Sequence, residues 1–223
     1  MIFKTDPGVH RTDLHQNGYV LLKDILTDGF KAQLRGFLDK AMREAATESD
    51  EWKVKGKKRQ FVFEFASQDD AEDFRAGMAR LTGIDAETFT ISERHLKVYD
   101  EAANPFPAPH KDRSASHYSI GLPIDLPDGS SVCVFPEFQP GPNTEPRAVF
   151  LSADDPDEIR ALYDGPHAKM LNEELGDVIV FLGSALYHER VRGAGTAVLY
   201  IKVNGEGDDP LGENIYARQP AQA

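Results

Sequence analysis

Two stretches decide the fold of this chain: PHKD, residues 109–112, and GDVIVFLGSALYH, residues 176–188. His110 and Asp112 are two residues apart, so an extended backbone turns both side chains to the same face. His188 follows an apolar run that indicates a buried strand. Two imidazoles and one carboxylate form the facial triad that suits non-haem Fe(II) and leaves coordination positions open. We therefore predict that His110, Asp112 and His188 are metal ligands and form the catalytic centre.

Composition limits the class of protein. At 223 residues and 40% hydrophobic content, the chain can bury a substantial core, and we expect a single domain. The formal net charge of −12 disfavours nucleic-acid binding, because a phosphate backbone is also negative. No apolar run has the length of a membrane helix and no secretory signal is evident, so we expect a cytoplasmic protein without a membrane partner. Cys133 is the only cysteine, which excludes an internal disulfide.

The N-terminal part predicts a short helical segment and a strand within residues 10–26, then two amphipathic helices. Thr27 or Asp28 is expected to cap the first helix. Its apolar stripe at three-and-four spacing is Phe30, Leu34, Phe37, Leu38, Ala41 and Met42. The second starts at Ser67 or Asp69 and ends near Gly83. The basic run at 52–59 between them is either a site for an anionic substrate or a solvated turn.

From Thr88 onward the residues alternate with period two, which predicts strands, the first with an unusually polar face that suits a barrel interior. Asp128 and Gly129 predict a β-hairpin. Residues 137–147 predict a loop and residues 154–164 a short helix that begins at Asp154 or Asp155. Few contacts are expected beyond Gly205.

This pattern resembles the double-stranded β-helix oxygenases that use Fe(II) and 2-oxoglutarate, most closely their phytanoyl-CoA dioxygenase-like branch. Residues 18–24, GYVLLKD, look like that branch's opening strand, 110–112 like its His-x-Asp motif, and 176–188 like its distal-histidine strand. The likeness covers about residues 12 to 204.

The resemblance implies an α+β, mainly β fold: a double-stranded β-helix (jelly-roll, cupin-like) core with N-terminal helices packed on it. Within one domain, 1–223, we expect a helical part at 10–85, a jelly-roll part at 88–204 and a tail at 205–223. The implied activity is a hydroxylase that uses Fe(II), 2-oxoglutarate and O2 on a small-molecule substrate.

One position departs from the family pattern. The family places a basic residue, usually Arg, at the start of the strand after the distal histidine, where it pairs with the far carboxylate of 2-oxoglutarate. The corresponding residue here is Ala197. A buried dicarboxylate needs a cation, and the substitutes are Arg190, Arg192, Lys97 and Lys202, with Tyr200 beside Lys202 on one strand face. The predicted cofactor-binding residues are Lys97, Tyr118, Arg192, Tyr200 and Lys202.

Several alternatives stay open. His95 and His117 compete for the metal, although neither has a carboxylate at the family spacing. Ala197 is equally consistent with an iron oxygenase of the same fold that does not use 2-oxoglutarate. The chain is also compatible with a non-catalytic cupin-like binding protein, or with a zinc hydrolase, for which no separate general base is evident.

Overall fold

Helices precede most of the strands in the computed structural model, which describes residues 1–45, 59–152 and 156–216. A 3-10 turn, Pro7–His10, leads into α1 (Arg11–Asn17), and the other helices are α2 (Asp28–Ala45), α3 (Gln68–Thr82) and α4 (Pro156–Tyr163). The strands are β1 (Tyr19–Leu22), β2 (Arg59–Val62), β3 (Thr90–Val98), β4 (His110–Lys111), β5 (Tyr118–Asp125), β6 (Ser131–Phe135), β7 (Val149–Phe150), β8 (Lys169–Leu171), β9 (Val178–Phe181), β10 (Tyr187–Val191) and β11 (Ala197–Asn204).

The strands form two antiparallel sheets. The larger sheet has six strands in the order β1-β9-β5-β11-β3-β2, and the smaller has five in the order β7-β4-β10-β6-β8. From β3 onward, successive strands mostly alternate between the two sheets, which is the winding of a jelly roll. The predicted mainly β jelly-roll core is therefore confirmed.

The two faces of the larger sheet have different chemistry. On one face, Leu199 and Ile201 of β11 share the main hydrophobic core with side chains of α2 and α3, among them Phe30, Leu34, Leu38, Phe74, Met78 and Leu81. On the other face, Tyr200 and Lys202 line the cavity that holds the predicted metal ligands. The helices therefore cover one face, and the polar face of the sheet is turned toward the smaller sheet.

The helix ends follow the predicted capping chemistry. The Phe30 N–H donates to Thr27 Oγ1 at 3.3 Å, so Thr27 caps α2. Ser67 caps α3 by accepting from the Asp70 N–H at 3.1 Å. Gly83 ends that helix in the left-handed region, with φ 79°. No helix in the described ranges combines the length and apolarity needed to cross a membrane.

Three expectations are wrong. Gly129 does form a turn, with φ 81°, but β5 and β6 belong to different sheets and do not pair as a hairpin. His188 lies on β10 rather than at the end of the apolar strand β9. The segment after Gly205 makes specific contacts, because Glu213 accepts from the Arg94 N–H at 2.8 Å and Asn214 accepts from the Ile91 N–H at 3.3 Å.

Two expectations fall on residues that the structure does not describe. Most of the basic run at 52–59 lies outside the described ranges, which resume at Arg59. The proposed helix caps Asp154 and Asp155 also lie outside them. The helix itself begins at Pro156.

Candidate metal centre

The three predicted ligands come together between the two sheets. His110 begins β4 and is the register partner of His188 on β10, so the two rings lie side by side with centroids 4.5 Å apart. Asp112 follows β4, two residues after His110. The intervening Lys111 points elsewhere, since its Nζ donates to the backbone oxygens of Gln139 and Gly141 at 2.7 and 2.8 Å. The predicted alternation of side chains along 110–112 is therefore observed.

The ligand atoms are close enough to share one ion. Asp112 Oδ1 lies 3.6 Å from His110 Nε2, and Asp112 Oδ2 lies 3.6 Å from His188 Nε2. One donor atom from each of the three residues falls within 4.8 Å of the others. A two-nitrogen, one-oxygen donor set of this kind fits Fe(II) and leaves positions for further ligands.

Outer contacts orient each ligand. His188 Nδ1 donates to the Leu186 backbone oxygen at 2.9 Å, and His110 Nδ1 donates to Glu189 Oε2 at 3.1 Å, which leaves both Nε2 lone pairs for a metal. The Ser119 hydroxyl donates to Asp112 Oδ2 at 2.5 Å. The Asp112 N–H donates to the Gly183 backbone oxygen at 2.9 Å, so the turn before β10 also fixes this carboxylate.

The electrostatic environment gives Asp112 and His188 the protonation states that a metal needs. Burial alone would raise the pKa of Asp112, but the Lys202 ammonium and the two imidazoles hold it well below its usual range. Burial, together with the charge of His110, lowers the pKa of His188 to about 4. Burial opposes protonation of His110, yet the Glu189 and Asp112 carboxylates raise its pKa above the ordinary value. An ionised Asp112 and a neutral His188 are the forms that bind a metal.

A charged network adjoins the ligands. Lys202 Nζ lies 2.6 Å from Asp112 Oδ1 and 3.4 Å from Glu93 Oε2. Glu93 also accepts from Arg113 at 3.1 Å and pairs with Lys97 at 3.3 Å. Burial alone would raise the pKa of Glu93, but Lys202 and Lys97 hold it well below its usual range. The polar strand face that the sequence predicts for β3 supplies Glu93 and Lys97.

A small cavity of about 20 Å³ opens onto the ligands. Its lining contains the three ligands and charged or aromatic side chains from both sheets: Lys97, Tyr99, His110, Asp112, Ser119, Val132, Phe181, His188, Glu189, Arg190, Tyr200 and Lys202. Three of the five predicted cofactor-binding residues, Lys97, Tyr200 and Lys202, therefore lie beside the metal ligands.

The other two predicted cofactor-binding residues lie elsewhere. The Tyr118 hydroxyl donates to the Thr82 backbone oxygen at 3.2 Å, next to α3. The Arg192 guanidinium is placed 5.6 Å from the ring centroid of Phe106. Arg192 follows a change in strand direction, with φ 50°, so it leaves the cavity that Arg190 lines.

Two charged residues at the site, Arg190 and Glu173, are not among the predicted cofactor-binding residues. Period-two alternation from His188 places Arg190 on the ligand face, so the sequence pattern is sufficient to identify Arg190 as a residue of the site. Glu173 follows β8 and forms a buried ion pair with Arg190, and nothing in its local sequence indicates that contact. The buried Arg190 Nε and Glu173 Oε2 have no hydrogen-bond partner among the described residues.

The rival histidines are engaged with carboxylates outside the ligand cluster. His95 Nε2 lies 2.7 Å from Glu213 Oε1, and His117 Nδ1 lies 3.2 Å from Glu206 Oε2. Among the residues that the structure describes, His110, Asp112 and His188 are the one group of three metal-ligating side chains close enough to share an ion.

Several solved structures share this architecture, among them enzymes that depend on alpha-ketoglutarate or were solved with 2-oxoglutarate. The non-haem alpha-ketoglutarate-dependent carbocyclase SnoK from nogalamycin biosynthesis has a TM-score of 0.57 at 11% identity, covering 93% of this chain and 88% of its own. EctD from S. alaskensis, solved with 2-oxoglutarate and 5-hydroxyectoine, has a TM-score of 0.53 at 15% identity, and the match covers 91% of this chain and 78% of EctD. A Pseudomonas putida prolyl-4-hydroxylase has a TM-score of 0.52 at 15% identity, and the match covers 88% of this chain and 97% of the hydroxylase.

No family model and no curated protein sequence matches the chain. The identities to the solved structures are low, so these likenesses establish the fold. They confirm the predicted resemblance to the fold of the Fe(II) and 2-oxoglutarate oxygenases. The narrower assignment to the phytanoyl-CoA dioxygenase-like branch stays a prediction.

Proposed function

We propose that the protein is a non-haem Fe(II)- and 2-oxoglutarate-dependent oxygenase that hydroxylates a small molecule. The observation that carries this proposal is the arrangement of His110, Asp112 and His188, whose imidazole nitrogen and carboxylate oxygen atoms converge within 4.8 Å inside the barrel. The same three residues would hold the iron. The fold shared with enzymes of this chemistry supports the proposal.

When bound, Fe(II) together with 2-oxoglutarate and O2 supplies the oxidation of an unactivated C–H bond. The role of the protein is to hold the metal ligands and position the reactants. Glu189 and the Leu186 carbonyl hold the two imidazoles in the tautomer that presents Nε2. Ser119 and Lys202 each bind one oxygen of Asp112, which limits rotation of that carboxylate. The apolar side chains of Val132 and Phe181 line the same cavity.

The substrate would approach at the edge of the smaller sheet. Phe150 on β7 is the register partner of His110, its ring stacks on that imidazole at 5.0 Å, and 58% of the residue is exposed. An exposed aromatic ring beside a metal ligand is well placed to contact a small molecule that reaches the iron. Phe150 lies three residues beyond the end of the loop at 137–147, and such loops commonly carry recognition.

An iron oxygenase of the same fold without 2-oxoglutarate is the second candidate. The observation that favours it is that the cavity cations already have carboxylate partners, since Arg190 pairs with Glu173, and Lys202 with Asp112 and Glu93. A dicarboxylate would have to share these cations.

An anaerobic titration of the metal-free protein separates the two candidates. We expect Fe(II) followed by 2-oxoglutarate to produce the weak visible charge-transfer band of a chelated complex. His188→Ala should abolish it. His167→Ala is the matched control, because His167 is half exposed and lies outside the ligand cluster. Iron binding without a band on adding 2-oxoglutarate would favour the second candidate, and absence of iron binding would exclude both.

A further inference from the structure

Arg190 stands next to the metal ligands on the same strand. It lies two residues beyond His188 on β10, which places it about 7 Å further along the same strand face. Its side chain lines the cavity and only 2% of the residue is exposed. A five-carbon dicarboxylate that begins at the metal can reach a cation at this separation.

The guanidinium is held in place and still has a free donor. Arg190 Nη1 donates to Ser130 Oγ at 3.0 Å, and Nη2 donates to the Tyr200 hydroxyl at 3.4 Å and to Glu173 Oε1. Its Nε–H has no partner within the described residues although the atom is buried. A buried donor without a partner is costly, and a planar guanidinium is the side chain best matched to a carboxylate.

The other candidate cations are less suited to this role. Lys202 Nζ is bound to Asp112 Oδ1 at 2.6 Å, so it serves a metal ligand. Lys97 pairs with Glu93 at 3.3 Å and lies over the Tyr200 ring. Arg192 is outside the cavity, and Ala197 belongs to the hydrophobic core on the helix-covered face of its sheet.

We propose that Arg190, assisted by the Tyr200 hydroxyl, binds the far carboxylate of 2-oxoglutarate. The proposal rests on the proposed function. It places the anchoring cation on β10, the strand of the distal histidine, instead of on β11. Glu173 then acts as the positioning residue that holds the guanidinium from behind while the ligand carboxylate pairs with the remaining donors.

The test compares two 2-oxo acids of equal carbon number. Under anaerobic conditions with Fe(II), dissociation constants are measured from the absorption band for 2-oxoglutarate and for 2-oxopentanoate, which lacks the far carboxylate. The wild type should prefer 2-oxoglutarate by at least about tenfold, the size expected for a charged hydrogen bond. Arg190→Met is combined with Glu173→Met so that no buried charge is left unpaired.

The double variant should bind both 2-oxo acids equally, with Fe(II) affinity and circular dichroism unchanged. Arg192→Met, the matched control just beyond the end of β10, should keep the wild-type preference. A double variant that keeps the preference, or a Lys97→Met variant that loses it instead, would overturn the assignment of Arg190. If the double variant binds both 2-oxo acids more weakly by the same factor, the assignment is also overturned, because that is the effect of a purely structural residue. A wild type that shows no band with either acid would instead overturn the proposed function.

Discussion

His188 is the ligand whose protonation depends most on the fold. Burial and the neighbouring His110 lower its pKa to about 4, from an ordinary value of 6.5. Between these two pH values the unfolded chain binds a proton at His188 that the folded chain does not bind. The free energy of unfolding must therefore fall as the pH decreases from 6.5 to 4, by up to roughly 3 kcal/mol.

In metal-free protein, His188→Asn should remove this contribution. We expect the free energy of unfolding in urea to decrease less steeply between pH 6.5 and pH 4 in the variant than in the wild type. The raised pKa of His110 contributes to the pH dependence in the opposite direction in both proteins. Parallel pH profiles for the two proteins would show that His188 titrates normally in the fold.

Ala197 shows where residue-level reasoning from a motif fails. The resemblance to the family implies that it stands at the anchoring position, but in the structure it is 2% exposed within the core beneath the helices. The neighbouring residue Val198 belongs instead to the cluster with Tyr99 and Tyr200. A register irregularity between residues 197 and 198 lies at this point of β11, and no sequence pattern announces it.

Ala197→Arg should therefore destabilise the fold without creating an anchor. A cation in the apolar core has no partner, and we expect a loss of several kcal/mol in the free energy of unfolding. Urea denaturation measures this loss, and the 2-oxoglutarate titration should show no gain in affinity. A stable variant that binds 2-oxoglutarate more tightly would contradict the observed orientation of β11.

At the level of elements, the turn between β9 and β10 positions the metal carboxylate. A Cβ on Gly183 would lie 2.5 Å from Asp112 Oδ2 and 2.6 Å from Ser119 Oγ. The Gly183 carbonyl also accepts from the Asp112 N–H. A glycine is required here because of this close approach to the ligand, not because of its backbone angles.

Gly183→Ala should push Asp112 out of position and weaken Mn(II) binding by about 10- to 100-fold, the usual effect of disturbing outer-shell contacts. Isothermal titration calorimetry measures the affinity, with circular dichroism as the check on folding. Gly29→Ala is the control, because a Cβ there meets no described atom within 4 Å. Equal Mn(II) affinity in the two variants would mean that the turn does not set the carboxylate.

The predicted elements were largely correct where local chemistry determines them. Interactions between residues close in the sequence determine several of them: the apolar stripe of α2, the Ser67 cap and Gly83 end of α3, and the alternation in β3. The Asp128 and Gly129 turn was misassigned because turn chemistry specifies a reversal and not which strand pairs next. The ion pair of Arg190 and Glu173 was not predicted for the same reason, because it joins two different segments of the chain and local sequence does not specify such contacts.

At the scale of the whole molecule, the metal site lies between the two sheets and is built from residues of both. His110 and His188 belong to the smaller sheet, while Lys202 and Ser119, which hold Asp112, belong to the larger one. Binding at such a site must stabilise the whole fold, because the unfolded chain has no preformed set of ligands.

Mn(II) should therefore raise the unfolding temperature, and 2-oxoglutarate should raise it further only when the metal is present. At a hundredfold excess over its dissociation constant, each ligand adds about 2.7 kcal/mol. Differential scanning fluorimetry measures the shift. Stabilisation by 2-oxoglutarate without metal would show that the dicarboxylate binds apart from His110, Asp112 and His188.

The most direct test of the account is an anaerobic crystal structure of the protein with Fe(II) and 2-oxoglutarate, using anomalous scattering at the iron edge. We expect one iron peak bound by His110 Nε2, His188 Nε2 and an Asp112 oxygen, with the far carboxylate of 2-oxoglutarate at Arg190. An iron peak elsewhere, or no iron between these three side chains, would contradict the central claim.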